Sequence, residues 1–182
     1  ELLTRLTQRY SNVSLARAKA YADEAVMVLR AQADVDADML ATALILGARV
    51  RVAVGELVDA QGLFLSAIAE ILKVPDTPHF DLMNARFSLA DVLFQQQQFG
   101  RALALAREAA EEGAKALGPD APGVIAVHSR WGSLLHNLGQ REQAREVQRC
   151  ALDAMLRVKG PDDTLYTPIA MVELSRTLLA EG

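Results

Sequence analysis

Two columns of alanine run through the chain with one fixed period. Ala18, Ala60, Ala102 and Ala144 form one column, and Ala25, Ala67, Ala109 and Ala151 form the other, two helical turns further on. The two alanines of each copy therefore share one helix face. A face kept small at that interval in four successive copies is a face on which another helix lies close. A third column, Leu6, Ala48, Ala90, Gly132 and Leu174, is small in its three middle copies. A fourth, Leu15, Leu57, Phe99 and Arg141, is apolar until the last. Such a period marks stacked copies of one supersecondary unit. The apolar half of the chain is carried by Ala and Leu, with only 5% aromatic residues, which makes the unit helical.

The breakers fall between the copies. Gly118-Pro119-Asp120 returns as Gly160-Pro161-Asp162, with an echo at Val74-Pro75-Asp76. Proline cannot continue a helix, glycine favours the position just past a helix end, and aspartate is a good N-cap for the next helix. In the stretch that follows Asp76, Thr77 is the expected cap and Pro78 the first helical residue. Inside each copy a shorter turn is expected, at Ala53–Leu57 and at Asn137–Arg141, and Gln95–Gln98 reads as the same kind of turn. The pattern predicts nine helices, at about 1–11, 14–31, 36–54, 56–73, 78–96, 98–117, 121–138, 140–158 and 163–180. They group as a single array of four helix pairs, about 1–31, 36–73, 78–117 and 121–158, plus an unpaired helix 163–180. The first residue is not Met and the last lies within a helical pattern, so a domain of a longer protein is expected.

The spacing of small residue, turn glycine, aromatic and alanine pair resembles the tetratricopeptide repeat (TPR). The residues that carry the resemblance are Ala48, Gly55, Leu57, Ala60 and Ala67 in one copy, Ala90, Phe99, Ala102 and Ala109 in the next, and Trp131, Gly132, Gly139, Ala144 and Ala151 in the one after. The usual unit of that family is shorter, about 34 residues. The 42-residue unit with its Gly-Pro-Asp marker resembles the kinesin-light-chain-type variant found in bacterial multidomain regulatory proteins. Gly47 stands where the family prefers Leu, Arg141 replaces the aromatic, and the first repeat lacks the turn glycine. The resemblance implies an all-α, right-handed superhelical solenoid of antiparallel helix pairs, each repeat touching only its neighbours.

It also implies that the first helix of each pair lines a concave groove, with the inward stripe at i, i+4 and i+7. That stripe is Ile45, Arg49 and Val52, then Phe87, Asp91 and Phe94, then Ser129, Ser133 and His136. Leu3, Thr7 and Tyr10 begin the row, and Met171, Ser175 and Leu178 end it. Phe87 and Phe94 suit apolar anchors of a peptide or helix, and equally suit packing against neighbouring helices. Arg49 and Asp91, in one register, are read either as holding the ends of a ligand or as an ion pair. The family's clamp for a C-terminal carboxylate uses Lys and Asn where this chain has Leu3 and Thr7, then Ile45 and Arg49, so that type of ligand is not expected.

Other chemistry finds little support. The net charge of −4, with no basic run, gives no reason to expect nucleic acid. Apolar stretches such as Met39–Ala48 are shorter than a bilayer requires, and no secretory signal opens the chain. The cytoplasm is the expected compartment, with the periplasm left open. Cys150 is the only cysteine and is read as a small half-buried core residue. His128 and His136, eight apart, do not have helical zinc spacing; His128 is read as a core histidine and His79, after Pro78, as solvated. Glu111-Glu112 and Asp162-Asp163 read as exposed faces and caps. No phosphate loop, dinucleotide fingerprint or nucleophile motif is present. The expectation is a protein-interaction module that is not an enzyme, takes no cofactor or metal, and binds a peptide or partner domain as the sensing or targeting part of a regulator. The alternatives are a self-associating or autoinhibitory scaffold, with a homodimer through the C-terminal helix, and a small-effector sensor attached to a kinase or transcription activator.

Overall fold

The computed structural model describes residues 2–32, 34, 36–74, 79–160, 171–172 and 175, with side chains from Ser14 onward. These residues form seven helices and no strand: α1 (Leu2–Arg30), α2 (Ala37–Ala53), α3 (Leu57–Ile71), α4 (His79–Gln95), α5 (Phe99–Leu117), α6 (Pro122–Asn137) and α7 (Arg141–Lys159). Met171, Val172 and Ser175 are also helical. The fold is all-α, built of helix pairs. The chain divides into two compact units, residues 1–78 and 79–182.

Within the units, α2 packs on α3, α4 on α5 and α6 on α7, each pair closed by a tight turn. The turns share one construction. Glu56 N–H donates to the Arg51 carbonyl at 2.9 Å, Gln98 N–H to Leu93 at 2.9 Å, and Gln140 N–H to Leu135 at 3.0 Å. This bond back to the last helical turn requires a residue of positive φ just before it. Gly55 (φ 82°), Gln97 (φ 63°) and Gly139 (φ 73°) supply it, each one repeat on from the last. The counterpart in the first repeat, one period before Gly55, is Val13. A β-branched residue strongly disfavours positive φ and is compatible with continued helix. The helices expected at 1–11 and 14–31 are accordingly one helix, α1, which runs unbroken from Leu2 to Arg30.

The alanine register does what its spacing implies wherever a hairpin forms. Ala60, Ala67, Ala102 and Ala144 are completely buried, and Ala109 and Ala151 nearly so. The small column lies against them: Ala48 and Ala90 are completely buried. A Cβ on Gly132 would stand 2.5 Å from Gln148 Cγ and 3.4 Å from the Ala144 carbonyl oxygen. In α1 the register is not used this way, and Ala25 is exposed.

The core of residues 1–78 includes Leu29, Leu40, Leu44 and Ala67. That of residues 79–182 includes Met83, Phe87, Ala106, Ala110, Val124, Val127 and Leu134. Gly118 (φ 88°) and Gly160 (φ 83°) close α5 and α7. The capping role expected of Asp120 is not observed. α6 starts at Pro122 with Ala121 as N-cap, and the Asp120 carboxylate instead accepts from Arg157 Nη2 at 2.6 Å. Asp36 does cap α2, accepting from Asp38 N–H at 3.0 Å. The expected cap at Thr77 and Pro78 lies outside the described residues.

Candidate partner-binding surface

In the second unit, α4 and α6 lie side by side, and the sequence stripes on both helices meet there. Phe87 is fully buried in the core, which corrects its assignment to a groove floor: it has no surface left for a partner. Arg130 of α6 covers its ring, with the guanidinium carbon 4.4 Å from the centroid. Arg130 also forms an ion pair with Asp91, one turn further along α4. Of the two readings of Asp91, the ion pair is the one observed, with Arg130 rather than Arg49. Burial pushes the Asp91 carboxyl above its ordinary value, and the charge and hydrogen bond of Arg130 pull it back only in part.

Phe94 is half-buried. One side backs onto the core and its ring meets Phe99 edge to face, with centroids 5.1 Å apart. Phe99 remains 39% exposed, so the aromatic pair keeps an open edge. The Ser129 hydroxyl donates to the Ile125 carbonyl at 3.1 Å and the Ser133 hydroxyl to the Ser129 carbonyl at 3.2 Å. His136, one repeat on from Phe94 in the same register, is half-buried, and its Nδ1 is buried with no hydrogen-bond partner among the described residues.

In the first unit, Ile45 is half-buried against the Leu29–Leu40–Leu44–Ala67 cluster and Val52 is half-buried. Arg49 is exposed and has no ion-pair partner among the described residues, beside a Leu46 that is 53% exposed. Met171 and Ser175 are exposed, while Leu178 lies outside the described residues, as does most of the C-terminal helix expected to carry a homodimer.

Two further residues depart from expectation. Cys150 is exposed rather than half-buried, because it sits one position before the Ala151 stripe and so about 100° round the helix. With His128, Pro119 and Arg157 it lines a cleft of about 270 Å³. His128 is only half-buried, though satisfied: its Nδ1 lies 2.9 Å from the Val124 carbonyl and its ring meets Trp131 edge to face. His79 is exposed, as its position after Pro78 suggests. Among the described residues no three His, Cys, Asp or Glu side chains are grouped to hold a metal ion, and no helix is long and apolar enough to cross a membrane. Sequence reasoning missed Arg130 and Gln148, the latter a buried polar side chain against Gly132.

Solved structures supply the comparison. BtubC (BKLC) from P. vanneervenii superposes with a TM-score of 0.81 over 96% of this chain and 69% of its own, at 19% identity. This chain has a TPR-like repeat fold. A protein described as a kinesin light chain with nearly identical TPR-like repeats, from Podosopora anserina, gives a TM-score of 0.77 over 98% of this chain and 84% of its own, at 20% identity. YrrB, a TPR protein with an unusual peptide-binding site, gives 0.51 over 96% and 87%, at 18% identity. No protein-family profile matches the chain, and no curated protein matches it in sequence. The TPR-like fold accounts for the hairpins, the buried alanine columns and the lateral packing of α4 on α6.

Proposed function

We propose that this chain is a protein-interaction module that takes a peptide, or a loop of a partner domain, on the α4–α6 face, as the targeting or sensing part of a larger cytoplasmic regulator. The observation that carries the reading is Asp91, a carboxylate held on this face although burial pushes its pKa up. Perturbed groups of this kind concentrate at functional surfaces. Beside it, the open edge of the Phe94–Phe99 pair offers an apolar anchor point. The ligand this favours has an aromatic or large aliphatic side chain next to an acidic group that competes with Asp91 for Arg130. Ser129, Ser133 and His136 then supply flanking polar contacts. On α2, Arg49 with Leu46 offers a separate contact of the same chemistry, an exposed cation beside an exposed aliphatic side chain. The reading involves no catalysis and no cofactor.

The test is a random-peptide selection on the intact chain, with counter-selection on Phe94→Ala and Arg130→Ala. Enrichment of peptides pairing an apolar anchor with an acidic residue, lost on both variants while their helix content is retained, supports the proposal. Peptides that bind both variants as well as the parent chain refute the assigned face.

A further inference from the structure

The outer face of α3 is apolar where the matching faces of α5 and α7 are charged. Val58, Gly62, Leu65, Ala69 and Leu72 follow one another at alternating steps of four and three, which sets them in one stripe along the helix. All five are exposed, Val58 at 78%, Leu65 at 51% and Leu72 at 54%. They lie across the helix from Ala60 and Ala67, the side that packs on α2. One repeat on, the same positions of α5 include Arg107 and Glu111. Two repeats on, those of α7 include Glu142, Glu146, Arg149 and Asp153. These charged residues are exposed, as suits a face turned to water. The stripe of α3 carries no charge at any of its five positions.

The stripe also alternates in size. Val58, Leu65 and Leu72 are large, and Gly62 and Ala69 between them are small. A Cβ on Gly62 would meet nothing within 4 Å, so no contact within the chain calls for glycine there, and glycine is a poor helix former. A facing helix does call for it. When two such helices run antiparallel, each leucine of one stands over a small residue of the other. Leu65 faces Ala69 and Leu72 faces Gly62, each pair twice, about a two-fold axis that passes between Leu65 and Ala69. A parallel pair would set leucine on leucine and glycine on glycine, and leave gaps. The charges beside the stripe fit the antiparallel register. Asp59 and Lys73 lie on one flank at opposite ends, so each Asp59 comes beside the Lys73 of the second copy. Asp59 is exposed and has no ion-pair partner among the described residues. Lys73 bonds Glu70 at 2.8 Å, and its side chain stays 62% exposed. Antiparallel helix dipoles add to the attraction.

We propose that this chain pairs with a second copy of itself through the outer face of α3, the two helices antiparallel and Asp59 of each beside Lys73 of the other. A second copy is the occupant that the stripe specifies, because one helix supplies both the large and the small member of every apolar pair and both charges of each ion pair. A surface that complements itself in this way closes about a two-fold axis.

The test is sedimentation equilibrium of the unaltered chain and four variants, with helix content followed by circular dichroism. Twice the chain mass is expected for the unaltered chain. Leu65→Arg gives α3 the residue type that α5 carries at the matching position, Arg107, and should leave single chains of unchanged helix content. Gly62→Leu enters open space in the single chain but fills the seat of Leu72 in the pair, and should also give single chains. Asp59→Lys alone should weaken the dimer roughly ten-fold or more, since two attractive pairs become repulsive, and the exchange Asp59→Lys/Lys73→Asp should restore it. An unaltered chain that stays monomeric at every soluble concentration overturns the proposal. So does a dimer that survives both Leu65→Arg and Gly62→Leu, one that Asp59→Lys leaves unchanged, or one that the double exchange fails to restore. The unaltered chain and the charge variants decide the matter even where Leu65→Arg folds poorly.

Discussion

The guanidinium of Arg130 lies 4.4 Å from the centre of the Phe87 ring and at the same time pairs with Asp91, one turn beyond Phe87 on α4. One side chain of α6 therefore seals a core aromatic of α4 and neutralises a half-buried carboxylate beside it. Removing the ring should be costly. Phe87→Ala is expected to lower stability by about 3–5 kcal/mol, the usual range for emptying a buried aromatic site. Urea unfolding followed by circular dichroism measures it, and a loss below about 1 kcal/mol would contradict the burial of this ring.

The Asp91 carboxyl gives a pH signature. Burial raises its folded pKa above the ordinary value, so the folded chain holds that proton more tightly than the unfolded one. The contribution of Asp91 to stability is full below the unfolded pKa and is lost as pH rises through the folded pKa. Asp91→Asn removes the titration. The stability of the parent chain relative to Asp91→Asn should therefore increase as pH falls through that window. Paired unfolding curves from neutral pH down to the ordinary carboxylate range test it; a difference that is flat or declines towards acid contradicts the direction.

Gln97 holds a positive φ that glycine adopts at the two equivalent turns. Left-handed backbone costs an L-residue about 1–2 kcal/mol, partly offset by the greater unfolded-state freedom of glycine. Gln97→Gly is expected to stabilise the chain by about 0.5–1 kcal/mol, seen as a higher melting temperature. Gln97→Val, which puts the residue of position 13 into this turn, should destabilise it clearly.

Much of this architecture is legible in the sequence because the alanine columns report helix contact in the three hairpins, where Ala60, Ala102 and Ala144 have no room for anything larger; in α1 the same columns do not, and Ala25 is exposed. The turn column at 13, 55, 97 and 139 is harder to read, because only two of its four members are glycine. Gln97 does not announce a left-handed residue, and Val13 gives an unbroken α1 only once the turn it replaces has been seen in the other repeats. The surface is less legible still. Phe87 and Phe94 stand two turns apart on one helix, yet a small rotation buries the first and leaves the second half-open. Arg130 lies off the i, i+4, i+7 stripe, where no groove contact is expected of it. A long side chain reaches across to the neighbouring repeat from such a position, as its separation of 39 residues from Asp91, three short of the period, shows. Asp120 follows Gly-Pro and so reads as a cap, whereas an arginine 37 residues on competes for it.

The last prediction separates scaffold from surface within one repeat. Ala102 is completely buried between α5 and its hairpin partner α4, so Ala102→Leu adds three carbons where none fit. Overpacking of this kind costs about 1–3 kcal/mol. Phe94 has a core-facing side and an open side, so Phe94→Ala should cost less than the complete loss expected at Phe87, about 1–2 kcal/mol. The two variants then part company in binding. Ala102→Leu, once folded, leaves the α4–α6 face chemically intact and should retain selected peptides, whereas Phe94→Ala loses the anchor and should weaken them by about 1–2 kcal/mol or more, roughly five-fold or greater in Kd. Thermal unfolding and calorimetric titration of both variants with one selected peptide make the comparison. If Phe94→Ala binds as tightly as the parent chain, the aromatic pair is packing alone, and the partner surface must be sought elsewhere on α4 and α6.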